Sequence, residues 1–392
     1  MRRWRSAVVA VAAAALVVPA TAAQADGGGH GGHGGRGGQD TRITEVASGL
    51  EGPRQLDGFR GNKVVVAESD SAEISTVNLR NGRVEPLFSL SAPGSVNPQG
   101  VASADGQLFI ALGELGEDAP PPFTDRPDQE PRCEFAAELP PGPGLVVTEV
   151  DGDVLARCDL LAYELFANPD GQSQFVDDDP ALGPVDSLSN PFAVLVQHRR
   201  ILVADAGANT VLSIDRRTGR IQPFFEPPVI TTGLCQGAEN NPETPSYPAT
   251  VGCDPVPTGV VEGPDGKIYV STLGAVTPGA GVVYVLDQHG RVVRTIEGLN
   301  PMTGIAVDRR GTVYASELLP GQVVRIDRHG NRSYVAVPTP QGLEFRDGSL
   351  YVAADSVQLG PDPVVGRVLR VGLGAFGPDQ APFQPPGPPA AP

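Results

Sequence analysis

Six times along this chain a proline opens a short stretch of the form Pro-x-Gly-aliphatic, or a near variant of it. Self-similarity of this kind constrains the fold more than any other feature of a sequence. The six starts are Pro53-Arg54-Gln55-Leu56, Pro98-Gln99-Gly100-Val101, Pro191-Phe192-Ala193-Val194, Pro257-Thr258-Gly259-Val260, Pro301-Met302-Thr303-Gly304-Ile305 and Pro340-Gln341-Gly342-Leu343. Behind each comes a tight turn and an alternating apolar run: GNKVVVAES, DGQLFIALG, HRRILVADA, DGKIYVSTL, RGTVYASEL and DGSLYVAAD. Period-two alternation rich in Val, Ile and Tyr beside Gly-containing turns is a hairpin signal.

Third strands follow in ISTVNL, TVLSID, VVYVLD, QVVRID and RVLRVG, then a second turn and a fourth strand such as RIQPFF or RVVRTIEG. Four short strands with no helix between them, in units of ~40–50 residues, describe a propeller blade. The expectation is an all-β fold: a six-bladed β-propeller of four-stranded antiparallel blades over residues 43–373. The sixth unit offers only three strands, ending near Gly372, whereas Ile43-Thr44-Glu45-Val46-Ala47 precedes the first unit and reads as a fourth. The N-terminal strand is therefore expected to close the last blade and remove the open edges of the ring.

With strands a to d counted outward from the axis, the a–b and c–d turns fall on one face, the b–c and d–a loops on the other. The insertions read as 113–152, 167–189, 228–256, 273–281 and 355–366, all b–c or d–a. One face thus carries the extra chain, and loop-borne function is expected there.

The segments outside the repeats read differently. Arg2, Arg3 and Arg5, an apolar run from Ala7 to Val18 and Ala23-Gln24-Ala25 have the order of a secretory signal peptide, residues 1–25, with a run too short to span a bilayer. Residues 26–42 read as a flexible Gly/His-rich arm and 374–392 as a Pro-rich disordered tail. Export would make the protein secreted, extracellular or cell-wall associated, with no membrane insertion after cleavage.

The chain carries 29 basic and 46 acidic residues, net −17. Without residues 1–25 the basic count is 26 against the same 46, net −20. Such a charge repels phosphate backbones and anionic lipid, which excludes nucleic acid as a partner and leaves an unknown small molecule or an extracellular protein. The four cysteines, an even set in an exported chain, read as disulfides. Cys133 with Cys158 and Cys235 with Cys253 is the economical pairing, because each pair lies in or beside one insertion; other connectivities stay open.

Aligning the second strands places Glu68, Leu112, Asp205, Thr272, Glu317 and Ala354 in one column at the channel mouth, with Asn209 and Asp355 close by. Glu68, Asp205, Asn209 and Glu317 are the candidate site, able to hold a divalent cation such as calcium or to act as acid and base. The same carboxylates could instead cap backbone N–H groups at strand ends. Between Glu114 and Asn190 stand 18 acids and three arginines, and the run Asp177-Asp178-Asp179 within them suits a hard cation or a solvated surface equally. None of the five histidines reaches the mouth, and there is no GxSxG, P-loop or HExxH, so triad hydrolysis is disfavoured.

The strings LVADAGANTVLSIDRRTGRI, PTGVVEGPDGKIYVSTLGAVTPGAGVVYVLDQHGRV and GIAVDRRGTVYASELLPGQVVRIDRHGN resemble the NHL/streptogramin-lyase-like propeller superfamily. The segment PTGVVEGPDGKIYVSTL, the GAGVVYVLD loop and the signal peptide are most similar to the ScyD/ScyE family of exported bacterial proteins. That resemblance implies an exported six-bladed propeller, linked in some bacteria with making the pigment scytonemin, and it carries no catalytic residues. Streptogramin lyases depend on channel histidines, which are missing here. Gluconolactonase-like propellers bind a divalent ion through channel carboxylates, to which Glu68, Asp205 and Glu317 correspond approximately. Ligand binding or scaffolding is the leading expectation, and a metal-dependent lactonase or lyase the alternative.

Overall fold

The structure is a computed structural model describing residues 40–91, 96–113, 127–140, 142–175, 184–185, 188–239, 246–247, 250–359 and 363–379, the strands at 173–175, 184–185 and 246–247 through their backbone alone. The signal peptide, most of the Gly/His arm, Asp177-Asp178-Asp179 and the end of the Pro-rich tail lie outside them.

Six antiparallel sheets surround one axis. Blade 1 is Pro53–Phe59, Lys63–Glu68, Glu73–Asn78 and Val84–Ser89. Blade 2 is Asn97–Ala104, Gln107–Gly113, Gly144–Glu149 and Val154–Asp159. Blade 3 is Pro191–Val196, Arg200–Asp205, Thr210–Asp215 and Ile221–Phe225. Blade 4 is Pro257–Glu262, Ile268–Thr272, Gly281–Leu286 and Val292–Leu299. Blade 5 is Met302–Val307, Val313–Glu317, Gln322–Ile326 and Arg332–Ala336. Blade 6 is Leu343–Arg346, Ser349–Ala354, Gly366–Val371 and, outermost, Ile43–Leu50.

That last strand runs antiparallel to Gly366–Val371, Ile43 opposite Val371 and Leu50 opposite Gly366, so the N-terminal strand closes the ring as expected. Around the closure Arg370 pairs with Asp40 at 3.0 Å, and the Gly372 N–H donates to Arg42 O at 2.9 Å. Residues counted with the C-terminal tail continue the latch. Gly377 exchanges two hydrogen bonds with Tyr334 on the outer strand of blade 5, and Phe376 packs edge-on against Tyr314.

The Pro-x-Gly repeat has a packing cause. Each innermost strand lies against the innermost strand of the next blade, and a methyl at Gly342 would stand 2.5 Å from Arg54 O, one at Gly100 2.9 Å from Phe192 O. Gly304 faces Gln341 O in the same way. Only glycine lets the backbones come this close. Blades 1 to 5 also shift register just after the opening residue, for example between Pro98 and Gly100 and between Pro257 and Gly259. Each shift is a β-bulge or a like irregularity, which locally interrupts the ladder at the entry to the blade. Buried Val, Ile and Leu from facing blades, such as Leu202 with Val270 and Val65 with Ile110, fill the spaces between the sheets.

The insertions and the segments beside them depart from the sequence reading in four ways. Residues 144–149, counted within the insertion 113–152, form the third strand of blade 2. Within the same insertion Glu134–Phe135 adds a short strand to that blade's outer edge, and the neighbouring Cys133 reaches blade 3, where its N–H donates to Gly219 O at 2.8 Å. A helix, Leu160–Ala167, follows the blade, capped by Asp159 Oδ1 accepting from the Ala162 N–H at 2.8 Å and ended by Asn168 in the left-handed region. The d–a insertions before blades 3 and 4 join: Ser173–Phe175 pairs with both Pro184–Val185 and Ser246–Tyr247 in one small sheet.

Candidate functional site

Three of the four sequence candidates, Glu68, Asp205 and Glu317, are structural clamps in their own blades. Glu68 Oε2 accepts from the Glu51 N–H at 2.7 Å. Asp205 takes the Asn190 N–H at 2.6 Å, the Ser189 hydroxyl at 2.7 Å and the Ala208 N–H at 3.2 Å. Glu317 Oε1 takes the Asn300 N–H at 2.9 Å, and its other oxygen the Gln322 amide. In all three blades a buried carboxylate at the end of the second strand therefore ties down the residue that leads into the first. Burial raises the Glu68 carboxyl and pushes Asp205 up to about 6 against the hydrogen bonds it accepts.

Asn209, in the left-handed region at φ 47°, joins two insertions. Its amide N–H donates to Asp170 Oδ2 at 3.0 Å, and its carbonyl accepts from the Val256 N–H at 3.2 Å. Asp355 is paired with Arg367. Among the described residues no three His, Cys, Asp or Glu gather closely enough to hold a metal ion. The structure thus leaves Glu68, Asp205 and Glu317 each with its own backbone partners. The cysteines pair locally, Cys133–Cys158 and Cys235–Cys253. His198, His289 and His329 sit at exposed turns.

What the blades do bring together is a central cavity of about 180 Å³. Its wall is the free edge of the six innermost strands, where backbone N–H and C=O groups have no further strand to pair with. Apolar side chains supply about half of the lining surface, among them Ala193, Val194, Leu195, Val260, Ile305 and Leu343, and the backbone edges supply much of the rest. Against it stand a few polar side chains. Gln55 reaches over Gly100, its carbonyl accepting the Val101 and Val194 N–H groups at 3.1 and 3.2 Å, its amide donating to Val194 O at 3.3 Å. Asp57 Oδ2 accepts from the Ser103 N–H at 2.6 Å. Thr258 and Thr303 donate to the carbonyls of Met302 and Pro340 in the following blades.

Glu344 differs from these. It lines the same cavity on the blade beside Asp57, and among the described residues its carboxylate makes no hydrogen bond or ion pair. A methyl at Gly58 would meet Glu344 Oε1 and Arg346 Nη1, each at 3.2 Å, so both side chains lean over that glycine. Desolvation first, then the charge of Asp57, push the Glu344 carboxyl up to about 8; Arg346 opposes this. Desolvation pushes Asp57 up to about 6, its backbone hydrogen bonds opposing. Perturbed carboxyls that line one cavity mark candidate functional groups. Arg346 itself bonds to the carbonyls of Phe59, Gly61 and Lys63, bridging blade 6 to the a–b turn of blade 1.

At the mouth on the elaborated face, Phe192 packs with Ala206, Val256, Leu273 and Val276. Val256 and Val276 hold positive φ, 52° and 58°. For β-branched residues that conformation costs on the order of 1–3 kcal/mol and persists only where the surroundings enforce it.

Sequence comparison of the second strands missed Gln55, Asp57 and Glu344, although the first strands carry a signal. Gln55 occupies the position that is glycine in four of the other blades. Two residues on, Asp57 and Glu344 stand where the remaining blades have Ala102, Leu195, Val261 and Ala306.

The chain matches no family model and no curated protein. Among solved structures it is similar to a gluconolactonase from Xanthomonas campestris, at 12% identity over 84% of this chain and 89% of that one, TM-score 0.49. It is similar also to a streptogramin B lyase, at 14% identity over 83% and 97%, TM-score 0.45. A third is the calcium-binding protein regucalcin from Agrobacterium tumefaciens, at 13% identity over 88% and 97%, TM-score 0.48. At these values nothing about activity passes from them to this chain.

Proposed function

We propose that this propeller is an exported ligand-binding protein, of the kind its ScyD/ScyE-like segments suggest, taking a small molecule into its central channel from the elaborated face. One observation carries the reading. A central cavity ringed by the innermost strands of all six blades, its surface polar and apolar in similar measure, holds a carboxylate, Glu344, for which the fold makes no hydrogen bond among the described residues. Apolar walls with a few placed polar groups are the usual composition of a ligand site. Two disulfides suit an oxidising, extracellular compartment, and no described helix is long and apolar enough to cross a membrane.

A scaffold role would use the rims of the insertions instead of the channel. The reading as a metal-dependent lactonase or lyase has less behind it, because Glu68, Asp205 and Glu317 are committed to backbone N–H groups of their own blades.

The test is native mass spectrometry of protein secreted into culture medium, comparing the natural chain with Val261→Trp, which fills the cavity from a half-buried lining position. A small molecule retained by the first and lost from the second supports the proposal. Retention by both, or retention of a protein partner alone, would move the assignment to the insertion rims.

A further inference from the structure

The channel has two ends of different chemistry, and this inference rests on the channel reading above. At the end nearer the a–b turns, Asp57 and Glu344 present two carboxyls from neighbouring blades. Apart from each other, the one charge acting on Glu344 from the strands around it is that of Arg346. The Arg346 guanidinium is itself spent on three carbonyls of blade 1. At the mouth end stands Gln99, 5% exposed, whose amide N–H donates to Asn97 Oδ1 at 2.8 Å while its Oε1 has no hydrogen-bond partner. Gln99 borders the same cavity. Its Oε1 has almost no surface open to the cavity, so a bound donor reaches it only after the side chain turns; a buried acceptor left without a donor costs about 1–3 kcal/mol, which that contact would relieve. Between the ends Leu195, Val261 and Leu343 contribute apolar side chains to a wall that also carries the backbone edges of the inner strands.

We propose that the channel binds a slender organic ammonium ion: its charged nitrogen between Asp57 and Glu344, an apolar body along the wall, and a hydroxyl or amide donor at Gln99. Two carboxyls fall short of the six or more oxygens that calcium prefers, whereas an organic cation also uses the apolar side chains of the wall. An ammonium brings up to three N–H donors on one charge and an apolar stem. It also resolves the electrostatics. In the free protein Glu344 keeps a proton at neutral pH because it is desolvated beside Asp57; an incoming cation replaces that proton, so binding releases it and tightens as pH rises towards 9.

The probes are hexylammonium, hexanol, hexanoate and aminohexanol, titrated calorimetrically into the full mature chain at millimolar concentration. Hexylammonium is expected to bind, with proton release near pH 7 shown by buffers of different ionisation enthalpy, and hexanol and hexanoate to bind at least about tenfold more weakly. Glu344→Gln should remove that preference, and Gln99→Leu should weaken aminohexanol while sparing hexylammonium. Equal binding of hexanol, or an unchanged preference in Glu344→Gln, overturns the charge assignment. If hexanol or hexanoate binds and Val261→Trp abolishes it, the channel reading survives that failure. Binding unaffected by Val261→Trp refutes both. If none of the four binds, the ammonium assignment is wrong.

Discussion

Gln55 in the first blade is hydrogen-bonded in both directions to the backbone of Val194 in the third, its carbonyl accepting the N–H at 3.2 Å and its amide donating to the C=O at 3.3 Å. A single side chain thus spans the channel edge of the blade between them and also takes the Val101 N–H. Replacing it by leucine leaves these groups facing an apolar side chain. Gln55→Leu should lower stability by about 1–3 kcal/mol in urea unfolding, with the β-sheet circular dichroism spectrum unchanged.

The seam between blades 6 and 1 tolerates no side chain at Gly342, where an added methyl would meet the backbone of Arg54, Gln55 and Leu56 at 2.5–2.6 Å. Gly342→Ala should cost about 1–3 kcal/mol, because backbone on both sides must yield. An unchanged melting temperature would refute this account of the Pro-x-Gly repeat.

The carboxylate clamps predict a different pattern. Asp205→Ala strands three donors, the Ser189 hydroxyl and two backbone N–H groups, at a site with no access to solvent. A loss of about 3 kcal/mol is expected by chemical denaturation, and calcium should not restore it.

Stability should also depend on pH through Glu344. Its folded carboxyl stands near 8, well above the ordinary 4.5. Between those values the folded state holds a proton that the unfolded state has lost. Stability is therefore full below about 4.5 and falls as pH rises through 8. Glu344→Gln should remove this fall and be the more stable form at pH 9 by on the order of 2 kcal/mol, read from melting curves across that range.

Cys235 and Cys253 close a short loop, 18 residues apart, on the insertion before blade 4. Changing both to alanine should cost about 3 kcal/mol by chain entropy. The loss should appear first as amide-exchange opening of residues 228–239 and 250–256, with the blades still protected.

The sequence alone determined the ring. Alternating strands, Gly-containing turns and six Pro-led starts are local signals, each readable within one unit, and their repetition implied both the blade count and the need for the strand beginning Ile43-Thr44-Glu45-Val46-Ala47 to close the last sheet. The disulfide pairs were legible because each lies within or beside one insertion. The helix Leu160–Ala167 was not read from the sequence, because its eight residues, bounded by Asp159 and Asn168, stand alone and outside the repeat. The cavity chemistry was decided by tertiary structure. Asp57 and Glu344 lie near opposite ends of the chain, and ring closure makes their strands neighbours. Whether a carboxylate is spent on backbone N–H groups, as Glu68, Asp205 and Glu317 are, or left without one, as Glu344 is, depends on which blade edge faces it. No spacing along the sequence carries that information.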